Sequence, residues 1–545
     1  MTEAQKGIIR KLTSIIICLF AVLIGFGFYF QNLFAPINSY DEGIMLENSF
    51  NILKGLIPYR DFWTLYPPGY YYLFAGIFKI FGINDLVFRI ADFLFRAVIS
   101  LSIFALARHY FSKITSIVLS SVSFLWLVSI INIYINTPTL MLMYLALLTI
   151  LKYFDQAHGK QIRYLIISGV LAGLTGFIRW DFGICAYISL LSVLVIDNLL
   201  RRSQTREKQH LVRDFSIFTG SVLIILVPLL GLVVYKPGLN NFIDQVFIAP
   251  LLINHQYRAI PQPSILDFNI NPFQNMNWIR FYLPLLVVLL ESGRLLVNFI
   301  STKEKVVDSK ALGEIVLLVW SLFFLVYSTA RYDISHILPA LIVSLILLVV
   351  FLKNVVRKCS DKKLSRLIIV FVIGLFIASL IPAYILTPLD TYLVNKKYVT
   401  NNYSCFVTLR REGCSSVSLS TQKVISIIES KTKEDTPIFI GNFIHDKIFI
   451  NDMSLYFLLG RPGINKYQEL YPGVATTSKV QNEIVNSLIQ KKVVYIILVN
   501  EEVSIESNLS STSSGVFILD NYIQKNYQVI FQDGIYKVLK AIDQN

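Results

Sequence analysis

Long apolar runs follow one another through the first two thirds of the chain, separated by short basic or aromatic connectors. Each run approaches the roughly 20 apolar residues that a helix needs to cross a bilayer. The sequence is 54% hydrophobic and only 15% charged, which excludes a soluble globular protein. We therefore predict a mostly α-helical polytopic membrane protein with about eleven spans. The predicted spans cover residues 15–34, 86–107, 114–131, 133–151, 164–178, 182–200, 215–235, 279–297, 311–328, 336–352 and 367–386.

Basic residues set the predicted orientation of these spans. The first run is preceded by Lys6, Arg10 and Lys11, is too long for a signal peptide and has no cleavage site, so its N-terminus is predicted to be cytoplasmic. The basic clusters 201–213 and 353–366 then also face the cytoplasm, as the positive-inside rule requires. The net charge of +14 is accordingly assigned to topology and anionic lipid, not to nucleic acid. We predict a multi-pass protein of the inner cell membrane of a bacterium.

Residues 66–82, YPPGYYYLFAGIFKIFG, are nearly long enough to form another span. If they crossed the bilayer, every later loop would change sides and both basic clusters would become external. We therefore predict an interfacial or re-entrant helix, which Pro67 and Pro68 begin and whose tyrosines lie at headgroup depth.

The chain changes character near residue 387, where polar and β-rich segments replace the apolar runs. An odd number of spans places this region outside the cytoplasm, so we predict a membrane domain, 1–386, and an extracytoplasmic α/β domain, 387–545. Cys405 and Cys414 either form a disulfide there or lie near each other by chance. The predicted elements are strands at 436–443 and 493–499, an amphipathic helix at 479–490 and a hairpin of 527–531 with 535–539.

The first predicted external loop carries adjacent carboxylates, Asp41 and Glu42, just beyond the first span. A carboxylate backed by an apolar wall is desolvated and suited to act as a general base. The alternative is a solvated turn, because Asp-Glu pairs are common. The long loop 236–280 carries amide and aromatic side chains of the kind that bind sugars, and it too has a plain loop as its alternative.

Three groups of ionisable residues are predicted to share this outer face: Arg89 with Asp92 and Arg96, Arg179 with Asp181, and Arg331 with Asp333 and His336. Charged groups at membrane depth are costly and are therefore usually functional or mutually paired. Each group alone is explained equally well by a structural Arg-Asp pair. Their convergence on one side favours a site for an anionic lipid-linked substrate, since guanidinium groups bind phosphate bidentately.

The first-loop residues carry a family resemblance. The run Asp41-Glu42-Gly43, the segments 55–62 and 66–82, and Leu86 to Arg89 resemble the amino-terminal signature of the GT-C glycosyltransferases, in particular protein O-mannosyltransferases and bacterial lipid A aminoarabinose transferases (glycosyltransferase family 39). RYDISHILP, residues 331–339, is similar to a later motif of bacterial members. The resemblance extends to the layout of the whole chain, a membrane domain followed by an exported one.

This resemblance implies inverting transfer of a hexose or pentose from a polyprenyl-phosphate donor to a lipid, glycan or protein hydroxyl outside the cytoplasm. Asp41 would be the base, and Glu42 would orient the acceptor, the base or a metal. On charge and predicted location, four further residues are expected to neutralise the leaving phosphate: Arg60, Arg89, Arg331 and His336.

Other function classes are distinguished by motifs. The sequence has no P-loop, no GxGxxG after a strand and no DxD in a soluble region, which fits a lipid-linked donor. No Cys/His metal motif is present either, although some relatives use a divalent ion, so a metal remains open. A transporter or flippase of lipid-linked glycans is the main alternative, because many spans and intramembrane charges suit it equally. A catalytically inactive scaffold is the third.

Overall fold

The computed structural model describes residues 36–129, 135–155, 161–205, 211–268, 276–301, 309–358, 417–501 and 504–542, with Gly25, Gly27, Tyr29, Leu33, Gly374 and the backbone of 405–406 and 415–416. The chain divides into two compact units. Unit 1 consists of residues 1–32, 92–229 and 261–392, and unit 2 consists of residues 33–91, 230–260 and 393–545. The predicted domain boundary at 386/387 lies outside the described residues, and so does the Cys405–Cys414 pair of side chains.

Helices dominate the described residues up to 358. In chain order they are α1 (Asp41–Leu53), α2 (Gly69–Phe81), α3 (Asp85–Tyr110), α4 (Lys113–Ser129), α5 (Asn136–Phe154), α6 (Ile162–Ile178), α7 (Trp180–Thr205), α8 (Leu211–Val234), α9 (Leu239–Ile243), α10 (Ala249–Leu252), α11 (Met276–Ser301), α12 (Ser309–Ala330) and α13 (Ile334–Lys358). Two π-helical turns, Asp244–Ile248 and Ile253–Tyr257, follow α9 and α10.

Seven of these helices are long and apolar enough to cross a membrane: α3, α5, α7, α8, α11, α12 and α13. The apolar helices α4 and α6 have 17 residues each. These nine helices coincide with nine of the predicted spans, and the other two, 15–34 and 367–386, lie largely outside the described residues. The predicted total of about eleven spans stays a prediction.

Helix α2 confirms the short helix expected in the segment 66–82. It has 13 residues and Pro68 at its N-cap, so it measures only about 20 Å. A bilayer core is about 30 Å thick, and the helix cannot cross it. Its depth in the bilayer stays a prediction.

Small residues allow close packing among the helices of unit 1. A Cβ atom on Gly169 or Gly173 of α6 would lie 2.7–2.8 Å from backbone oxygens of Phe218 and Val222 on α8. Close backbone approach of this kind replaces the hydrophobic effect as the source of helix association in a membrane. Trp126 and Trp320 are among the largest fully buried side chains in this unit.

The C-terminal part of unit 2 is an α/β fold, as predicted. Its elements are α14 (Leu419–Lys431), α15 (Met453–Leu459), α16 (Ser478–Gln490), α17 (Ile518–Asn526), and the strands β1 (Cys405–Phe406), β2 (Ser415–Ser416), β3 (Phe439–Asn442), β4 (Tyr495–Val499), β5 (Tyr527–Asp533) and β6 (Tyr536–Ala541). The four-stranded sheet has the order β3-β4-β6-β5. β3 and β4 are parallel, and the chain between them contains α15 and α16. β5 and β6 form the predicted hairpin, whose turn contains Gly534 at a φ of 57°.

Candidate active site

Asp41 begins α1, and Asn38 fixes the start of that helix. The Asn38 side-chain oxygen accepts hydrogen bonds from the backbone N–H groups of Tyr40 at 3.0 Å and Asp41 at 2.8 Å. In return, the Asn38 N–H donates to Glu42 Oε2 at 3.0 Å. Reciprocal bonds of this kind satisfy the first N–H groups of a helix. Asp41 is therefore held, partly exposed, in the first turn, where the helix dipole favours negative charge.

Glu42 and Arg89 form a buried ion pair. Arg89 Nε and Nη2 donate to the two Glu42 carboxylate oxygens at 2.6 and 2.9 Å, and both side chains are at most 3% exposed. Arg89 also donates to the Leu33 and Pro36 carbonyl oxygens at 2.8 and 3.4 Å. The guanidinium thereby ties the chain before α1 to the start of α3, so this pair fixes the position of the first loop.

Gly43, the third residue of the motif, lies where α1 meets the start of α15. A Cβ atom there would lie 2.6 Å from the backbone nitrogen of Ser454. The Met453 N–H donates to the Ser39 carbonyl oxygen at 2.8 Å, immediately beside this contact. Only glycine fits this approach, so the loop motif is also a packing motif for the C-terminal region.

Arg258 directly follows the helical segment 239–257 and reaches the start of α1. Arg258 caps the C-terminal end of the second π-helical turn, and its backbone N–H donates to the Ile253 carbonyl oxygen at 2.8 Å. Buried Gln245 anchors the segment, since its side chain donates to the Tyr59 carbonyl at 3.0 Å and accepts from the Thr64 N–H at 3.2 Å. π-Helical turns often occur at functional sites.

The Arg258 guanidinium faces two aromatic rings and lies near Asp41. Its centre is 4.8 Å from the Tyr40 ring centroid and 4.7 Å from that of Phe449, and Nη1 donates to the Tyr40 hydroxyl. Asp41 and Tyr66 are close enough to interact electrostatically with this cation. Burial raises the pKa of Tyr40 to about 12, so its phenol stays protonated at neutral pH. The group combines one carboxylate, one guanidinium and neutral phenols.

A second carboxyl, Glu469, is fully buried behind this group. Asn48 Nδ2 donates to Glu469 Oε1 at 2.5 Å. Burial raises the pKa of Glu469 to about 8. Tyr471, also buried, packs on Tyr40 and Trp63 with ring centroids 5.7 and 5.4 Å apart. Neither Glu469 nor Tyr471 belongs to a motif that predicts a site, and the sequence signal nearest to them is the aromatic-acidic run YQELYPG, 467–473.

The remaining predicted residues have other surroundings. Arg60 is half exposed and donates two hydrogen bonds, of 2.8 and 2.7 Å, to the carboxylate of its neighbour Asp61. Arg331 and His336 belong to unit 1, where Arg331 Nε lies 3.2 Å and His336 Nδ1 lies 2.7 Å from the Asp333 carboxylate. Asp41, Glu42, Arg60 and Arg89 therefore share unit 2, whereas Arg331 and His336 form a separate cluster at the start of α13.

The predicted stripe of Arg89, Asp92 and Arg96 is divided between the units. Arg89 bonds to Glu42 in unit 2, whereas Asp92 and Arg96 form a fully buried pair at 2.6 Å in unit 1. Within the described residues, no cluster of three or more His, Cys, Asp or Glu side chains is arranged to hold a metal ion.

Comparisons with known proteins give the fold a context. The model of the family described as dolichyl-phosphate-mannose-protein mannosyltransferase matches residues 66–230. The crystal structure of ArnT from Cupriavidus metallidurans bound to undecaprenyl phosphate aligns with 97% of this chain and 98% of its own, at 14% identity and a TM-score of 0.51. The apo ArnT structure aligns with 98% of both chains, at 15% identity and a TM-score of 0.51. Comparison with curated proteins gives no match.

These identities establish likeness of fold. The many apolar helices together with this fold make the chain a multi-pass membrane protein. The resemblance predicted from the sequence is therefore confirmed: residues 66–230 match a mannosyltransferase family and the chain has the GT-C fold of ArnT.

Proposed function

We propose that this protein is a membrane glycosyltransferase that moves a sugar from a polyprenyl-phosphate donor to an acceptor hydroxyl on the extracytoplasmic side, with inversion. The observation that carries the proposal is the group formed by Asp41, Arg258 and the surrounding tyrosines at the start of α1. The GT-C fold supports the reaction class, and the undecaprenyl phosphate bound to ArnT supports the class of donor.

Asp41 acts as the general base in this proposal. The acceptor oxygen attacks the anomeric carbon while Asp41 takes the hydroxyl proton, and the bond from that carbon to the phosphate oxygen breaks. The polyprenyl phosphate leaves with the bonding electrons. Attack opposite to the leaving group inverts the anomeric configuration. Asp41 suits the role because it is partly exposed, whereas its neighbour Glu42 is buried.

In this proposal Arg258 neutralises the charge of the leaving phosphate, because among the arginines of unit 2 described above its surroundings are the best suited to binding an anion. It lies beside Asp41 and is stacked on aromatic rings, which hold a guanidinium while leaving its edge directed at a ligand. The bonds of Arg89 to Glu42 and to two carbonyls favour a positioning role for this pair instead of phosphate binding. Arg60, Arg331 and His336 stay candidates for contacts with donor or acceptor.

The test is transfer of radiolabelled sugar from a panel of undecaprenyl-phosphate hexoses and pentoses to envelope acceptors. Membranes carry the wild type, Asp41→Asn or Asp435→Asn at matched expression. Asp435 is an exposed turn residue, so its variant controls for the same chemical change elsewhere in unit 2. We expect transfer to fall by about 10²–10⁴-fold in Asp41→Asn only, the usual size of a general-base effect.

Two outcomes would contradict the proposal in different ways. Equal transfer by all three proteins would show that Asp41 is not the general base, although the protein would still be a glycosyltransferase. Absence of transfer from every donor, with movement of labelled lipid across vesicles, would favour a flippase. The anomeric configuration of the product, read by NMR against that of the donor, tests inversion separately.

A further inference from the structure

A cavity of about 960 Å³ lies in unit 1, between the ends of five helices. It is bounded by the C-terminal ends of α3, α7, α11 and α13 and by the N-terminal end of α12, as shown by lining residues such as Tyr110, Leu199, Phe299, Lys310 and Arg357. The predicted topology places these helix ends at the cytoplasmic surface. All the lining residues belong to unit 1, so the cavity is not part of the candidate active site in unit 2.

Four cationic side chains line this cavity: Arg294, Lys310, Lys353 and Arg357. Arg294 is fixed by two carboxylates, because it donates to Glu291 at 2.5 and 2.8 Å and also to Glu314. Lys353 donates to the Tyr110 carbonyl. Within the described part of the chain, neither Lys310 nor Arg357 has a carboxylate partner. The cavity therefore carries a positive charge that an anionic ligand would neutralise.

Apolar side chains that are partly exposed form the rest of the cavity lining. Leu199, Leu296 and Phe299 line it and are 53%, 59% and 47% exposed. They lie in the C-terminal parts of α7 and α11 and line the same cavity as the cations. Topogenic charge explains why basic residues lie on the cytoplasmic side. It does not explain why they surround a concave space together with apolar side chains, which is the arrangement that an amphiphile with a charged head requires.

We propose that this cavity binds an anionic, phosphate-bearing lipid, with its phosphate among Lys310, Lys353 and Arg357 and its hydrocarbon along Leu199, Leu296 and Phe299. Basic pockets between membrane helices on the cytoplasmic side are suited to lipid headgroups. The volume is within the range of small-molecule sites. A phospholipid and a polyprenyl phosphate offer the same chemistry, and the experiment distinguishes them. This inference does not depend on the proposed transfer reaction.

The test measures lipid binding to the full-length purified protein by native mass spectrometry. The probes are phosphatidylglycerol, undecaprenyl phosphate, zwitterionic phosphatidylcholine and inorganic phosphate. Lys310→Gln with Arg357→Gln removes two charges from the cavity, and we expect the fold to be preserved because both side chains are exposed. Lys152→Gln with Arg163→Gln is the matched control, because these basic residues lie at the predicted cytoplasmic side but do not line the cavity.

We expect the cavity variant to bind phosphatidylglycerol or undecaprenyl phosphate about 10- to 30-fold more weakly, since each basic residue near an anionic headgroup contributes about a fivefold change and the variant loses two. The control should bind as the wild type does. The exchanged pair Lys310→Arg with Arg357→Lys keeps the charges and should restore binding. The lipid that binds the cavity variant more weakly than the wild type is the one whose phosphate occupies the cavity.

Three results would overturn the inference. Equal weakening in cavity and control variants would mean nonspecific electrostatics. Equal affinity for phosphatidylcholine and phosphatidylglycerol would mean that the cavity does not recognise the negative charge of the lipid. Binding of inorganic phosphate alone would mean that the apolar wall has no part in recognition. Melting temperatures of all variants, measured in parallel, separate a lost site from a lost fold.

Discussion

The Asp92–Arg96 pair of unit 1 and the Asp41–Arg258 group of unit 2 use the same two residue types in different ways. Asp92 and Arg96 are both 0% exposed, and the carboxylate also accepts from Tyr29 at 3.1 Å and Thr137 at 2.6 Å. Arg96 donates in addition to the Leu127 carbonyl. In unit 2, Asp41 is partly exposed at a helix start, and aromatic rings face the Arg258 guanidinium.

The comparison separates a structural pair from a candidate site. A buried ion pair whose other bonds are completed by neighbouring helices is closed to substrate, and its stability depends on both partners being present. A carboxylate with solvent access beside a stacked guanidinium is accessible to an incoming hydroxyl and a phosphate. Residue type alone does not distinguish the two cases, since both contain an acid and an arginine, whereas the solvent access of the carboxylate does.

The largest expected effect comes from breaking the closed pair. Asp92→Ala leaves the Arg96 charge buried without its carboxylate, and the cost of such a change is about 3–5 kcal/mol. We expect a sharp fall in folded yield and melting temperature. Asp92→Leu combined with Arg96→Met removes both charges and should recover most of the stability. If Asp92→Ala melted like the wild type, the pair would not be structural.

The next effect concerns the open site. Arg258→Gln removes a charge that we assign to the leaving phosphate, and a charge-assisted bond contributes about 1.5–3 kcal/mol. Transfer should therefore fall by about 10- to 150-fold, with a melting temperature close to that of the wild type, and Arg258→Lys should recover part of the activity. Loss of folding in place of activity would place Arg258 with the structural arginines.

A third acid, Glu469, extends the comparison to the dependence of stability on pH. Burial raises the pKa of Glu469 to about 8, above the ordinary value of 4.5, so the folded state holds a proton that the unfolded state has released between these values. The contribution of Glu469 to the free energy of unfolding is therefore fully present below pH 4.5. It falls as the pH rises toward 8, by at most about 1.4 kcal/mol per pH unit. Glu469→Gln should abolish this fall in thermal melts at pH 5, 6.5 and 8. Parallel curves for both proteins would show that Glu469 is ionised throughout.

Much of the fold could be predicted because its signals are local. The spans, the short helix α2 and the β5–β6 hairpin each depend on about 10 to 25 consecutive residues whose apolar length or turn chemistry is visible in the sequence. The first-loop motif also marked Asp41 and Glu42 as residues of interest. For these features, no knowledge of distant partners was needed.

The partners of the charged residues could not be predicted in the same way. The stripe of Arg89, Asp92 and Arg96 looked like one group because helical spacing places the three side chains on one face. In the structure, Arg89 forms an ion pair with Glu42, and Arg96 forms one with Asp92. Glu469 contacts Asn48 across more than 400 residues of sequence, and no local pattern predicts such a contact.

The sequence by itself determined the membrane character of the chain, the type of its C-terminal fold and the carboxylates of the first loop, because apolar length, periodicity and short motifs act over one helix or one turn. Only the tertiary structure decided that Glu42 is held by Arg89, that Gly43 admits the backbone at Met453–Ser454, that Arg258 lies near Asp41 and that Glu469 bonds to Asn48. The physical reason is that a buried charge takes its partner from whichever segments pack around it, and that packing is a property of the whole chain.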